Sequence, residues 1–519
     1  MDKVNDVLKP SDATSVVAPP PAIPFNIRVV IGLIGILFAS MMAGLNGRIP
    51  GLVLIDIQGG LGFSKDDISW ITTAYSAGEL AAMPFAGWFA ITFSIRRFHI
   101  AMVISTMLVT AILPLIHNLE LLIVLRFIQG MVSGSLIPIL MISLLRFIPL
   151  PMRLYGLAIF ALIATFTPNI AFWLAELCVD RLNDWRWVYW HVLILGSFAI
   201  PMVAWGIPNM PMFLDRLKQA NWFSALLGIP ALVLLVIGID QGVRLDWFNS
   251  NLIIVSLSLG TILFILFIIS EEISDSHFPF VKLGILKRRN IGLGLFLFFI
   301  IFMLFTPGVT LPATILSNLH GFRMEQSSTI GLMVGLPQLI LGPCVAFLLY
   351  QRWVDPRYVF SIGLIFMATG CFLVTKLTST WMIEQFFWAE ILQIIGQPLV
   401  VVPLLFLITS VVNPTEGPAI AGLINILRVF SATIVSASVG QISAIRGRFH
   451  SEMLLDNSGR HILQTAQNSI DTSTLGQLIT QQVSIKAYSD VYMFFSILTL
   501  LLIPIVLNLH RVFPPKLDK

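Results

Sequence analysis

Long apolar stretches recur along almost the whole chain and limit its possible folds more than any other feature. A helix needs about 20 predominantly apolar residues to cross a bilayer, whereas a strand of a membrane β-barrel alternates over about ten. Hydrophobic residues make up 57% of the 519 and charged residues only 11%, against about 25% charged in soluble domains. The sequence therefore predicts an all-α polytopic membrane protein surrounded by the lipid bilayer.

Fourteen windows meet this requirement of length and hydrophobicity. They are residues 29–56, 67–94, 98–116, 119–147, 154–178, 187–208, 221–240, 251–270, 291–317, 326–351, 357–376, 382–411, 415–445 and 487–512. Gly or Pro interrupts several windows, which membrane helices tolerate when neighbouring groups satisfy the freed backbone. We predict 14 spans.

The polar segments outside these windows are few. Residues 1–28 are polar and Pro-rich and lack the apolar core of a signal peptide, so they predict an N-terminal tail ahead of an uncleaved first span. Residues 446–486 are rich in Gln, Ser, Asn and Thr, and part of this segment has helical spacing. They predict a long outer loop, which is either a solvated surface or a docking surface for a partner outside the cytoplasm. Residues 514–519 are predicted as a C-terminal tail.

Lys and Arg residues are distributed unequally between the two sides that this span count defines. They are more numerous in the two termini and in the connections that share their side, and several of those on the other side belong to the one long loop. Positive charge is enriched in cytoplasmic loops, and long loops count least. We therefore predict a cell (inner) membrane protein with both termini in the cytoplasm.

An internal repeat indicates two halves. The segment LRFIQGMVSGSLIPIL compares with AEILQIIGQPLVVVPLL, so that Arg126 aligns with Glu390 and Gln129 with Gln393. A second comparison matches residues 153–158 with 419–424. The two comparisons pair the fourth and fifth windows with the twelfth and thirteenth, which leaves two additional spans between the halves. The predicted domains are a six-helix bundle at 29–208, two linking spans at 209–290, and a second six-helix bundle at 291–513. Such parallel repeats are typical of one large transporter fold.

Few ionisable residues lie deep inside the apolar windows. Each costs roughly 2.5–3.5 kcal/mol to insert, so each needs a physical reason. Glu79 and Arg126 lie in the first half, and Glu390 and Arg428 in the second. A carboxylate that alternates between pairing with Arg and holding a proton is what proton coupling requires. The alternative is that these residues form static ion pairs.

Neutral polar side chains near these charges are candidates for binding an organic substrate. Gln129, Gln393 and Gln397 lie three to seven residues from Arg126 or Glu390, and such spacings share a helix face. Asn46, Asn169 and Trp173 are further candidates because they are polar or aromatic residues within apolar windows.

Several of these segments resemble the fourteen-span drug:proton antiporter branch of the major facilitator superfamily, of the EmrB/QacA type. LRFIQGMVSGSLIP, which contains Arg126, is similar to the span 4 motif and is the most specific match. DWRWVYW (184–190) resembles the segment that leads into span 6, and GIDQGVRLDWFNS (238–250) resembles the loop between the two extra spans. NILRVFSA (425–432) is similar to the span 13 motif. The resemblance covers nearly the whole chain.

This resemblance implies a major facilitator fold and proton-coupled export of small amphipathic molecules or drugs by alternating access, without a cofactor. It implies a proton-transfer role for Arg126, and it marks Asn425 as a further substrate-binding candidate. The residues matching the family's conformational motifs are Gly87, Arg96, Arg97, Gly130 and Pro168. Members with a similar outer loop work with a periplasmic adaptor and an outer-membrane channel, which are therefore candidate partners.

The sequence also departs from the family pattern. Asn46 stands where the family has Asp in span 1, and Ile91 stands where the loop between spans 2 and 3 has Asp. Thr167, Ala171 and Phe172 replace glycines of the span 5 motif. These changes leave open the export of one defined metabolite, such as a siderophore or an aromatic acid.

Other functional classes have less support. The eight His residues form no HxxxD or HExxH pattern, so a membrane enzyme is not favoured, and the three Cys residues lack metal-site spacing. Nucleotide-driven transport would need a GxxxxGK[ST] loop, and the sequence contains none. A two-half repeat with paired charges favours alternating access over a continuous channel, and nothing indicates a nucleic-acid partner.

Overall fold

The computed structural model describes residues 25–273, 279–281, 283–413, 416–464 and 472–514. Across those ranges every regular element is a helix, as the apolar windows predict. Nearly all of the predicted N-terminal tail, the C-terminal tail after residue 514 and part of the predicted outer loop lie outside the described residues.

Eighteen α-helices make up the described chain. In order they are α1 (Ile27–Leu52), α2 (Leu54–Leu61), α3 (Lys65–Thr92), α4 (Ile95–Ile112), α5 (Leu119–Gly134), α6 (Leu136–Phe147), α7 (Arg153–Thr165), α8 (Thr167–Glu176), α9 (Trp187–Gly206), α10 (Trp222–Asp240), α11 (Asn251–Ile273), α12 (Arg289–Met303), α13 (Thr310–His320), α14 (Met324–Leu349), α15 (Pro356–Val374), α16 (Ile383–Thr409), α17 (Gly417–Gln464) and α18 (Thr472–Leu507).

Eleven described helical segments are long and apolar enough to cross a membrane, or twelve when the bent pair of α7 and α8 is counted as one span. Two predicted windows account for the difference from 14. Window 67–94 corresponds to α3, where Glu79 and several Ser and Thr residues interrupt the apolar sequence. Window 291–317 is divided between α12, of 15 residues, and α13, of 11. The count of 14 spans stays a prediction.

The helices before α10 and after α11 repeat one order of packing. In the first half α3 packs on α5, and α4 packs on α5 and α9. In the second half α14 packs on α16, and α15 packs on α16 and α18. The helices α10 and α11 pack on each other, and α10 also contacts α3 and α17. Through α10, the pair formed by α10 and α11 therefore lies where the two halves meet.

The described part of residues 446–486 is helical, including the part whose spacing predicts a helix, and its placement as an outer connection stays a prediction. The helix α17 continues to Gln464 and α18 begins at Thr472. The sequence 446–486 contains no proline to end a helix. Arg446 and His450 of α17 both bind a carboxylate oxygen of Asp490 in α18, at 2.6 and 2.7 Å. Residues 465–471 lie outside the described residues.

The two halves contact each other at both ends of the bundle. We call the end where α1 begins the proximal end and the opposite end the distal end. At the proximal end the Tyr350 hydroxyl donates to the carbonyl of Pro151 and accepts from the backbone N–H of Leu154. At the distal end Arg323 lies 3.3 Å from Asp180 and 3.6 Å from Asp56. The described conformation is therefore held together across the halves on both sides.

Candidate functional site

Glycines allow α3 and α5 to approach closely enough to position Glu79. A Cβ on Gly130 would lie 2.2 Å from the carbonyl oxygen of Tyr75, and one on Gly134 would lie 2.7 Å from Cγ of Glu79. On the α3 side, a Cβ on Gly78 would lie 2.1 Å from the carbonyl of Phe127. Because the obstructing atoms are largely backbone, larger residues would separate the helices.

Glu79 pairs with Arg428 from the opposite half. Its Oε1 lies 2.7 Å from Nη2 of Arg428, and the two side chains are 10% and 17% exposed. The pair connects α3 to α17. The sequence predicts one carboxylate and one guanidinium in each half, and this distribution is observed, but the bond forms between halves and not within one. Phe160, Phe298 and Phe302 line a small cavity that Arg428 borders.

Arg126 lies in a fully buried polar network inside the first bundle. Its Nη1 donates to Oε1 of Gln129 at 2.5 Å, and its Nε donates to the carbonyl of Ile71 at 3.3 Å. Gln129 in turn donates to Asn46 at 3.0 Å and to Thr110 at 2.7 Å. The predicted residues Asn46, Arg126 and Gln129 thus form one cluster.

Aromatic rings lie against the same guanidinium. Its central carbon is 4.6 Å from the ring centre of Tyr75 and 5.6 Å from that of Tyr189. The Tyr75 hydroxyl lies 3.0 Å from both the Ala43 carbonyl and the Ser133 hydroxyl, which fixes the ring. Cation–π contacts of this kind partly compensate for the loss of water around a buried guanidinium.

Glu390 occupies the matching position of the second bundle. It is 1% exposed, and its Oε2 has no hydrogen-bond partner among the described residues. Neighbouring Gln393 donates to the carbonyl of Met367 at 3.3 Å and to Sγ of Cys371 at 3.5 Å, while its own Oε1 is unpartnered within the described chain. The predicted pair Glu390 and Gln393 therefore forms a second buried cluster.

The other predicted substrate residues do not join these clusters in this conformation. Asn169 of α8 donates to the carbonyl of Thr165 at the end of α7, at 2.6 Å, and Asn425 donates to the carbonyl of Ala421 within α17, at 2.8 Å. Asn169 also packs beside the glycines Gly331 and Gly335 of α14, where the halves meet. Trp173 is partly buried on α8, and Gln397 is buried on α16.

The predicted conformational residues lie at bends and helix contacts. Pro168 follows the 43° bend between α7 and α8. A Cβ on Gly87 would lie 3.0 Å from the carbonyl of Pro418, so this glycine adjoins the opposite half. Arg96 donates to the carbonyl of Ile207 at 3.4 Å, and Arg97 is exposed.

Sequence reasoning missed several polar contacts that connect distant segments. Arg48 of α1 donates to the hydroxyl of Thr310 in α13, and Asp240 of α10 accepts from Thr73 of α3. Arg323 lies outside the apolar windows, so the sequence does not indicate that it contacts the opposite half. Each contact depends on which helices become neighbours.

Residues 36–437 match the family model of the Major Facilitator Superfamily. The chain belongs to this superfamily. It is therefore a transporter, as the span 4 motif predicts.

Individual relatives are distant but cover most of the chain. The colistin resistance protein EmrB of Acinetobacter baumannii is 24% identical over 86% of this chain and 85% of its own length. The multidrug export protein EmrB of Escherichia coli is 23% identical over 83% of both chains. The fatty acid resistance protein FarB of Neisseria gonorrhoeae is 24% identical over 90% of this chain and 93% of its own. The predicted resemblance to the EmrB type is confirmed.

Solved structures share the fold. The human organic anion transporter MFSD10 superposes with a TM-score of 0.58 at 13% identity, covering 93% of this chain and all of that one. A peptide transporter POT in complex with sulfate superposes with a TM-score of 0.56 at 15% identity, covering 93% of this chain and 96% of that one. At these identities the likeness concerns the major facilitator fold alone, whose prediction it confirms.

Proposed function

We propose that this protein is a proton-coupled antiporter that exports small amphipathic organic molecules across the cell membrane by alternating access. The observation that carries the proposal is the buried ion pair between Glu79 and Arg428. It joins the two halves, and it contains a carboxylate that can take up a proton. Relatives named for multidrug export and for colistin or fatty acid resistance support export as the direction.

The ion pair provides a way to connect proton binding to movement of the halves. When Glu79 accepts a proton on its carboxylate, the charge attraction to Arg428 is lost and one contact between α3 and α17 weakens. When the proton leaves, the pair re-forms. Glu390 is the second proton-binding group in the proposal, because an unpaired carboxylate inside the bilayer favours protonation.

The test uses purified protein in proteoliposomes with a pH-sensitive dye inside and a panel of drugs, fatty acids and aromatic acids outside. We expect substrate-dependent proton flux in the wild type and its loss in Glu79→Gln, which keeps the shape but cannot ionise. Glu272→Gln, at an exposed position, is the matched control and should transport normally. Proton-linked export that persists in Glu79→Gln would refute the proposed coupling, and response to a single compound would indicate a defined metabolite.

We further propose that the distal end faces outward and that the extended parts of α17 and α18 dock a periplasmic adaptor leading to an outer-membrane channel. The support is the length of α17, 48 residues, which exceeds what one span needs. A membrane-impermeant maleimide added to intact spheroplasts should label Glu452→Cys but not Trp353→Cys. The reverse labelling would contradict the orientation, and loss of export without loss of adaptor capture on truncating the extension would contradict the docking role.

A further inference from the structure

The buried network around Arg126 contains unused hydrogen-bond donors. Nη2 of Arg126 and Nδ2 of Asn46 are buried and have no hydrogen-bond partner among the described residues, and neither does the hydroxyl of Tyr189. Arg126 and Asn46 are 0% exposed, and Tyr189 is 1% exposed. Buried polar atoms are nearly always paired, so three such atoms on α1, α5 and α9 require an explanation.

The charge of Arg126 restricts the kind of partner further than its unused hydrogen-bond donor does. No carboxylate of the described residues lies within ion-pair distance of Arg126. Its protein partners are the neutral Gln129 side chain, a backbone carbonyl and two tyrosine rings. A water molecule would complete the hydrogen bonds but would leave the charge of the guanidinium uncompensated.

We propose that this cluster is an anion subsite that binds the carboxylate group of an exported molecule. This inference rests on the proposed export function and specifies its substrate class as organic acids. The planar guanidinium fork suits a carboxylate because its N–H groups match the two oxygens. The contacts with Tyr75 and Tyr189 are made by the guanidinium's central carbon over the rings, while Nη2 stays available.

The second bundle differs from the first in the kind of hydrogen-bonding atom that is unpaired. At the matching position the unused atoms are Oε2 of Glu390 and Oε1 of Gln393, both of which are acceptors. Neither side chain carries a positive charge, so of these two positions only the one in the first bundle offers a cation to an anion. The two halves thus bury different chemical groups at repeated positions, a guanidinium in the first and a carboxyl group in the second.

The helix that carries Asn46 can change shape next to the subsite. Pro50 lies inside α1, and a proline at this position cannot donate to the carbonyl four residues earlier, which is that of Asn46. Helices bend most readily at such positions. We therefore assign ligand entry to a movement of α1 in its distal part.

The experiment measures ligand-induced thermal stabilisation of the purified full-length protein in detergent and chloride-free buffer. The probes are octanoate and benzoate, with octanol, octylamine and chloride as comparisons. We expect stabilisation by both carboxylates in the wild type and in Arg448→Gln, an exposed control. Arg126→Gln should weaken apparent affinity by roughly tenfold or more, as expected when a hydrogen bond to a charged group is lost.

Two further variants test the same cluster in case Arg126→Gln does not fold. Tyr189→Phe removes one unused donor while keeping the ring, and Asn46→Asp places a resident carboxylate in the network. Both should weaken binding of octanoate, with Asn46→Asp the more severe.

Equal responses to octanoate and octanol would overturn the proposal, as would a response to chloride alone or unchanged affinity in Arg126→Gln. These binding outcomes do not depend on transport. Failure of the export proposal would instead appear as missing proton flux in wild-type proteoliposomes.

Discussion

At the residue scale, the position of Glu79 depends on two glycines, which have no side chain to separate the helices. Gly130 and Gly134 face α3, where the atoms opposite them belong mainly to the backbone of Tyr75 and Glu79. A backbone cannot move aside as a flexible side chain can, so added volume must separate the two helices. The position of Glu79, and thus its reach to Arg428, follows from this close approach.

Replacing Gly130 by Ala should therefore destabilise the protein although Ala is the better helix former. We expect a loss of about 1–3 kcal/mol, the usual cost of overpacking, measured as a lower melting temperature in detergent. Gly59→Ala in α2 is the control, because nothing lies within 4 Å of its added Cβ. Equal melting temperatures for both variants would show that the helices are not closely packed at Gly130.

At the scale of single elements, helix ends carry contacts that hold neighbouring segments. Asp355 caps the N-terminus of α15 by accepting from the backbone N–H of Arg357 at 3.0 Å, and it pairs with the Arg357 side chain at 2.8 Å. Arg511, beyond α18, lies 3.5 Å from the same carboxylate. One side chain thus joins the start of α15 to the C-terminal end of the bundle.

This cap predicts a dependence of stability on pH. Burial by itself would raise the pKa of Asp355, but hydrogen bonds and charge from Arg357, with Arg511, outweigh it and lower the pKa. A lowered carboxyl pKa stabilises the fold above the ordinary value of about 3.9, and this contribution is lost as the pH falls from that value through the lowered pKa of the folded protein.

The variant Asp355→Asn isolates the charge, since Asn is an equally good cap. At pH 7 it should melt at a lower temperature, corresponding to about 1–2 kcal/mol. It should also lose less stability than the wild type as the pH falls from 6 to below the ordinary carboxyl pKa of about 3.9. Parallel pH profiles for the two proteins would exclude Asp355 as the titrating group.

At the scale of the whole molecule, the described conformation depends on contacts between halves at both ends. Arg323 makes one of the distal contacts, because it reaches Asp180 and Asp56 of the opposite half. The backbone N–H of Glu325 also donates to Asp180, at 3.0 Å. Alternating access requires that one end open while the other stays closed, so each end needs contacts that can break.

We expect Arg323→Gln to favour distal opening. Spin labels on Gly59→Cys and Ser317→Cys, both exposed at the distal end of opposite halves, would report this as a longer or broader distance distribution. The background carries Ala at Cys178, Cys344 and Cys371. Arg244→Gln removes an equal charge from a pair with Asp66 that does not join the halves, and should leave the distances unchanged. Unchanged distances in both variants would show that the contacts of Arg323 do not keep the distal end closed.

Local spacing explains which site features could be predicted. Arg126 and Gln129 are three residues apart, so helix geometry alone places them on one face, and they are hydrogen-bonded in the structure. Pro168 lies at a bend, where its ring and missing N–H favour a break in the helix, whereas Pro50 and Pro84 lie inside continuous helices. The sequence does not predict that α17 continues through residues 446–464, because their polar composition is typical of a loop, although polar helices form where neighbours or length support them.

The sequence by itself determined that the chain is helical and lies in a membrane, because hydrophobic length and scarcity of charge are local properties. Through its repeat it also determined that the halves correspond, and through its motifs the superfamily. Only the tertiary structure decided that Glu79 pairs with Arg428, while Arg126 and Glu390 stay without ion-pair partners in the described chain. The physical reason is that an ion pair needs two atoms within a few ångströms, and which side chains of distant helices come so close depends on how the helices pack.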